Sequence, residues 1–249
     1  MPLIDPVTMS SDSVAAQGQV HKASSPIEVL PTDLARIFTH LHPVLLLSAY
    51  YLRFPSLVAD PVLTLATGLI PLAIVQTAYC IICLPFAGST PRAAKKAQKS
   101  KGGAAKKSSP AATIFPILFS LLLTVAVTPI VLSIQILLGA PLTTHLPHTI
   151  LSSLHLALLT LYPLFYVHGI DDAKWLDVCS AYAPLDDVFG GLVGAVLGAW
   201  LGAVPIPLDW DREWQRWPVT VVTGLYVGYV LGKGLGGSSL LRGKRIEFD

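Results

Sequence analysis

The apolar positions of this chain gather into long unbroken runs instead of alternating with polar ones. A bilayer-spanning helix needs about 20 mostly apolar residues. Six runs meet that length: 37–56, 61–86, 112–138, 146–168, 188–207 and 217–237. The first is the least uniform, because it holds His40, His42 and Arg53, whereas 61–86 and 112–138 contain no charged residue. Pro71, Pro116, Pro129 and Pro163 fall inside runs. Kinks are tolerated there, since neighbouring helices satisfy the carbonyls that proline frees. The pattern predicts an all-α, polytopic membrane protein with six transmembrane helices.

The last two runs carry a second periodicity. Glycine recurs every fourth residue at Gly190, Gly194, Gly198 and Gly202, and again at Gly224, Gly228, Gly232 and Gly236. Residues four apart share one helix face. In water each interior glycine would cost roughly 0.5–1 kcal/mol relative to alanine. In lipid, apolar side chains give helices little reason to associate, and small-xxx-small faces let backbones approach instead. The two ladders therefore predict a tightly packed helical hairpin. Its connection, Asp209–Trp217, is the densest polar and aromatic cluster in the chain.

Composition agrees with this reading. The 249 residues are 53% hydrophobic and 13% charged, with mean hydropathy +0.62, against about 25% charged in a soluble domain. The net charge of +2 matters less than its distribution. Seven Lys/Arg and no acid lie between Pro91 and Lys107, which places that linker in the cytosol. Two spans precede it and four follow, so both termini are expected to be cytosolic, and Arg242, Lys244 and Arg245 then fall on the same side. The loops holding Arg53, residues 139–145 and Asp209–Trp217 face the lumen. The predicted organisation is a disordered cytosolic tail (1–36), helices 1–2 (37–86), the basic linker (87–111), helices 3–4 (112–168), a cytosolic loop (169–187), the glycine-ladder hairpin (188–237, with lumenal loop 208–217) and a cytosolic tail (238–249). No signal-peptide h-region is evident near the N-terminus. The linker has no aromatic residue for base stacking, so lipid attraction and topology account for it better than nucleic acid.

Candidate chemistry is sparse. Cys80 and Cys83 form a C-x-x-C pair inside an apolar run, with no second pair at zinc spacing, and read as packing residues. His145 and His148, three apart, could share a metal but have no carboxylate nearby in sequence. Asp171–Asp172 and Asp186–Asp187 suit helix caps. In the lumenal connection Asp209, Asp211 and Glu213 alternate with Trp210 and Arg212, followed by Trp214, Arg216 and Trp217. Three readings fit: an interfacial anchor that contacts a protein partner, a lipid-headgroup contact, or a divalent-metal site. No Walker, Rossmann or nucleophile-elbow motif is present. No cofactor or metal is expected.

The stretch Gly198-Ala-Trp-Leu-Gly-Ala-Val-Pro-Ile-Pro-Leu-Asp-Trp-Asp-Arg212, followed by Trp214-Gln-Arg-Trp-Pro218 and Gly228-Tyr-Val, closely resembles the PIG-F family of glycosylphosphatidylinositol (GPI) anchor biosynthesis. Leu176–Pro184 and the Asp186–Phe189 helix entry fit as well. The resemblance is specific over 168–236 and a matter of hydropathy across the first four spans. It implies residence in the endoplasmic reticulum membrane and a role in adding phosphoethanolamine to mannoses of the GPI precursor. It also implies that the chemistry belongs to larger lumenal, metal-dependent partners, the third-mannose and second-mannose transferases, which the PIG-F protein stabilises. On that footing the eight ladder glycines are the helix-packing residues. Asp209, Trp210, Asp211, Arg212, Trp214 and Trp217 are the candidate partner or lipid contacts. Two other classes stay open. A lipid-binding or lipid-flipping protein would gather Gln76, Gln135, His155 or Asp187 in a polar cavity. An enzyme in its own right would use Asp209, Asp211 and Glu213.

Overall fold

A computed structural model describes residues 24–89, 110–208 and 210–246. The basic linker 91–107, most of the N-terminal tail and Asp209 lie outside the described residues, as do the side chains of 110–113. Among the described residues there are helices and no strands: α1 (Asp33–Ala59), α2 (Pro61–Cys83), α3 (Pro110–Leu137), α4 (Leu146–Leu156), a π-helical turn (Ala157–Leu161), α5 (Tyr162–His168), α6 (Asp172–Cys179), α7 (Asp187–Ala203), a 3-10 turn (Glu213–Gln215) and α8 (Val219–Gly237).

Local chemistry sets the boundaries. Thr32 accepts the Ala35 N–H and starts α1. Asp60 ends α1 and caps α2 by accepting from Leu63, with Pro61 in the first turn. Asp171 and Asp186 cap α6 and α7 through their side chains, as expected of acids that precede a helix. Arg53, placed by the sequence in a lumenal loop, lies inside α1, which continues to Ala59.

Four helical stretches are long and apolar enough to cross a membrane: Pro61–Cys83, Ile114–Leu137, Leu146–His168 and Val219–Gly237. The count of six from hydropathy is thus four by length and composition. α7 is apolar but only 17 residues long, because turns replace the helix from Val204 on. The 27-residue α1 is diluted by Arg36, His40, His42 and Arg53.

One helix, α3, reverses the pattern of a soluble amphipathic helix. On α3 the buried face carries Ser120, Thr124 and Thr128, while Leu118, Leu122, Val125 and Ile130 face outward. Thr124 and Thr128 donate to the carbonyls four residues back, at 2.7 and 2.8 Å. Hydroxyls can sit inside because the helix itself satisfies them, and a lipid solvent leaves apolar residues free to point out. Gln135 at the end of the same helix accepts from Ser152 and Ser153 of α4 at 2.9 and 3.0 Å. In the π turn, the Leu159 carbonyl receives Gln76 Nε2 of α2 at 3.0 Å. π-bulges leave such carbonyls without a regular helical partner.

Residues 24–30, assigned to the tail by sequence, have no regular secondary structure but are fastened to one end of the bundle. Leu30 N–H donates to the Cys83 carbonyl at 2.8 Å, and Ile27 is buried. The turns of 204–217 occupy the opposite end.

Candidate functional site

α7 and α8 meet backbone to backbone. A Cβ added at Gly194 would come within 2.7 Å of Gly232 Cα and closer still to the Gly228 carbonyl oxygen. One at Gly198 would come within 2.8 Å of Gly228 Cα and closer to the Gly224 oxygen. One at Gly190 would lie 2.5 Å from the Gly232 oxygen, and one at Gly202 would strike the Thr220 carbonyl. From the other side, Gly224 faces Gly198, Gly228 faces Gly194, Gly232 faces Gly190, and Gly236 faces the Asp186 carbonyl. The two ladders therefore interleave in antiparallel order, and every step is closed by main chain, which cannot rotate away. An apolar groove of about 700 Å³ follows the seam on its outer side, from Phe54 and Trp214 at one end to Leu241 at the other.

The connection between the two helices is organised by a residue the sequence reading passed over. Gln215 is buried and donates its amide to the carbonyls of Pro205 and Leu208, at 2.7 and 2.6 Å, while its oxygen accepts from Arg212 N–H at 3.1 Å. A lone glutamine in a polar loop has no periodic signature. Its carbonyl partners exist only once the Pro205–Leu208 turn has formed. Around this latch Trp210 and Trp214 stand exposed with ring centroids 5.9 Å apart, and Trp217 is half-buried. Arg212 and Asp211 are exposed, with Asp211 at φ +50°. Glu213 is paired with Arg216 at 2.7 Å. Asp209 lies outside the described residues. Among those described, no three His, Cys, Asp or Glu side chains are grouped to hold a metal ion. Gln215→Leu removes three hydrogen bonds and leaves two carbonyls and one N–H facing apolar atoms. It should loosen the loop by about 2–3 kcal/mol while sparing the helices, read as faster proteolysis between Pro205 and Trp217 with unchanged circular dichroism.

The polar groups that a lipid-binding or lipid-flipping protein would gather in one cavity are distributed instead. Gln76 binds His42 Nε2 at 3.2 Å and lies 3.4 Å from Tyr229 Oη. Gln135 is with Ser152 and Ser153. His155 sits between Tyr226 Oη at 2.8 Å and the Leu65 carbonyl at 3.0 Å. Asp187 is at the other end of the bundle, 3.7 Å from Arg242. His145 and His148 do meet, with ring centroids 5.1 Å apart. Lys233, inside the apolar run 217–237, is buried with its Nζ 3.2 Å from the Tyr79 ring centroid. Cys80 and Cys83 are buried free thiols.

Asp186 is the best-connected acid. It is 2% exposed. One carboxylate oxygen accepts from Val188 and Phe189 N–H, both at 2.8 Å, and the other from Ile27 N–H at 2.9 Å. Burial pushes its carboxyl above the ordinary carboxylate range, against the pull of those three donors.

Comparison with known proteins places these features. Residues 41–237 match the family model described as "GPI biosynthesis protein family Pig-F". The match therefore extends well beyond the glycine hairpin, to α1. The Neurospora crassa protein named glycosylphosphatidylinositol anchor biosynthesis protein 11 is 44% identical over 98% of this chain and 100% of its own length. Its Pyricularia oryzae namesake is 44% identical over 97% of each chain, and that of Yarrowia lipolytica 32% identical over 94% of this chain and 93% of its own. No solved structure gives a significant match. With most of the chain inside the family match and near-full-length relatives well above 30% identity, the chain belongs to the PIG-F family of GPI biosynthesis proteins.

Proposed function

We propose that this protein is a non-catalytic, stabilising subunit of GPI ethanolamine phosphate transferases in the endoplasmic reticulum membrane. In this reading α1 and α7 also cross the bilayer, giving six spans with both termini in the cytosol and the 204–217 turns in the lumen. The partners are the third-mannose and second-mannose transferases, and the protein supports their transfer of phosphoethanolamine to the GPI precursor.

The observation that carries the proposal is the glycine seam with the loop at its end. Main chain packed on main chain makes α7 and α8 a stiff unit. The unit keeps an apolar outer face, with Leu197, Trp200 and Leu201 exposed, and presents Trp210 and Trp214 beyond the helix ends. Exposed tryptophans on a rigid mount suit contact with a large partner. The paired Glu213 and solvent-facing Asp211 give a resident metal little hold. The separate settings of Gln76, Gln135, His155 and Asp187 lend no support to a lipid-flipping path.

The test is affinity purification from native membranes in mild detergent, with phosphoethanolamine transfer assayed with and without the co-purifying proteins. A stoichiometric large partner, with transfer only in its presence, is the expected result. Trp210→Ala combined with Trp214→Ala should reduce co-purification about tenfold or more, as loss of a hot-spot anchor does, while the subunit still inserts. Metal-dependent transfer by the subunit alone would overturn the proposal.

A further inference from the structure

Arg53 is the one Asp, Glu, Lys or Arg between Ile37 and Ala59 of α1. It lies six residues before the helix ends, a rise of about 9 Å, at the end of the bundle that carries the 204–217 turns. Its guanidinium donates to Thr67 Oγ1 of α2, and Thr67 passes its own proton to the Leu63 carbonyl at 2.8 Å. Among the described residues no carboxylate lies within ion-pair distance of Arg53. Guanidinium carries five N–H donors in a fork that fits phosphate and carboxylate. The described residues occupy one of them.

The unspent donors adjoin a built space. A cavity of about 80 Å³ has mostly apolar walls, such as Leu46, Leu57 and Leu72, with Arg53, Gly68 and His155 also in its lining, against about 30 Å³ for one water in the liquid. Gly68 keeps it open, because a Cβ there would lie 3.3 Å from His155 Cε1 and 3.7 Å from Arg53 Nη1. Of the other polar side chains in the wall, His155, Tyr226 and Tyr50 are already engaged. The Leu65 carbonyl can only accept, so His155 Nε2 donates to it, and Nδ1 accepts from Tyr226 Oη. Tyr50 Oη is bonded to Thr223 Oγ1 at 2.6 Å. The cavity thus offers one uncompensated charge, which is positive. Arg53 is half-buried, so its free edge reaches the surface of the bundle. A cation at this depth in lipid is costly without an anionic partner.

We propose that Arg53, with Thr67 and the space kept by Gly68, is a phosphate-binding site at headgroup depth. The phosphate comes either from a membrane phospholipid or from a soluble phosphate compound. The proposal rests on the placement of α1 across the bilayer given above but not on the subunit role, so transfer activity without a partner would leave it standing and loss of phosphate binding would leave the subunit role standing.

The experiment uses the full chain, delipidated in detergent and followed by native mass spectrometry. Three probes are added in turn: phosphatidylcholine, diacylglycerol (which lacks the phosphate) and inorganic phosphate. The expected result is one phosphatidylcholine retained per chain, diacylglycerol not retained, and retention weakened about tenfold or more in Arg53→Gln, the size of a lost charge-assisted contact. Arg53→Lys keeps the charge and should recover part of it, and Gly68→Val should abolish it by filling the space. Arg53-dependent binding of inorganic phosphate that displaces the lipid would assign the soluble source and still support the site. Equal retention by wild type and Arg53→Gln, or equal retention of diacylglycerol, would overturn it. If Arg53→Gln fails to fold, the contrast between Arg53→Lys and Gly68→Val in the melting shift caused by phosphatidylcholine decides the matter: no difference refutes the site.

Discussion

Gly228→Ala should unfold the hairpin, and Gly234→Ala, six residues along on the same helix, should do no harm. The added Cβ at Gly228 would fall 2.8 Å from Gly198 Cα and nearer still to the Gly194 carbonyl. Neither atom belongs to a side chain that can change rotamer. The helices must separate, and the four neighbouring steps of the seam separate with them. We expect a loss of at least about 3 kcal/mol, the upper part of the range for overpacking. Gly234 meets nothing within 4 Å of an added Cβ, and alanine there gains up to about 1 kcal/mol of helix propensity. Melting in detergent, followed by size-exclusion chromatography, checks both. Similar melting points for Gly228→Ala and wild type would mean that the seam is not a close contact in the membrane.

Asp186→Ala should cost about 2–4 kcal/mol, combining a lost helix cap with a buried N–H left without an acceptor. Asn should rescue only part of it. Its amide oxygen can still accept from Val188 and Phe189 N–H, but its NH2 would meet the Ile27 N–H, donor against donor. The measurement is the melting point of the two variants together with amide exchange at Ile27. Exchange at Ile27 should rise in both, whereas exchange at Val188 and Phe189 should rise only in Asp186→Ala.

These two sites differ in how far the sequence discloses them. The ladder is legible because a helix turns residues four apart onto one face, and glycine in an apolar run has few other uses. Asp186 is legible as a cap from its place before Val188 and Phe189. Its third bond, to Ile27, is not, since 159 residues separate them. Gln215 is invisible for a related reason: its partners are carbonyls, which every residue has, and the turn alone selects them. Arg53 misleads because a charge near the end of an apolar run looks like a loop residue, yet the helix runs past it with Thr67 across from it. Lys233 lies inside the apolar run 217–237, and no periodicity discloses that its charge packs over the Tyr79 ring. The six-span pattern exceeds the four spans that length and composition support because hydropathy registers apolar residues and not where the helix ends. Val204–Leu208 is apolar but turned.

The segments fastened around Asp186 come from both ends of the described chain. Arg242 Nη2 donates to the Ile27 carbonyl at 2.7 Å, Arg245 Nη2 to the Ser24 carbonyl at 3.1 Å, and Leu185 exchanges main-chain bonds with Gly243 and Lys244 at 2.7 and 2.8 Å. A ribosome delivers Ser24–Ile27 early and Arg242–Lys244 only after every described helix has been made. The early segment must therefore wait, with the Ile27 carbonyl unserved, until Arg242 leaves the exit tunnel. Synthesis that stops just short of Arg242 would release a protein in which every described helix is present and the clasp is open. The state of that clasp therefore separates a chain that includes Arg242–Lys244 from one that lacks them.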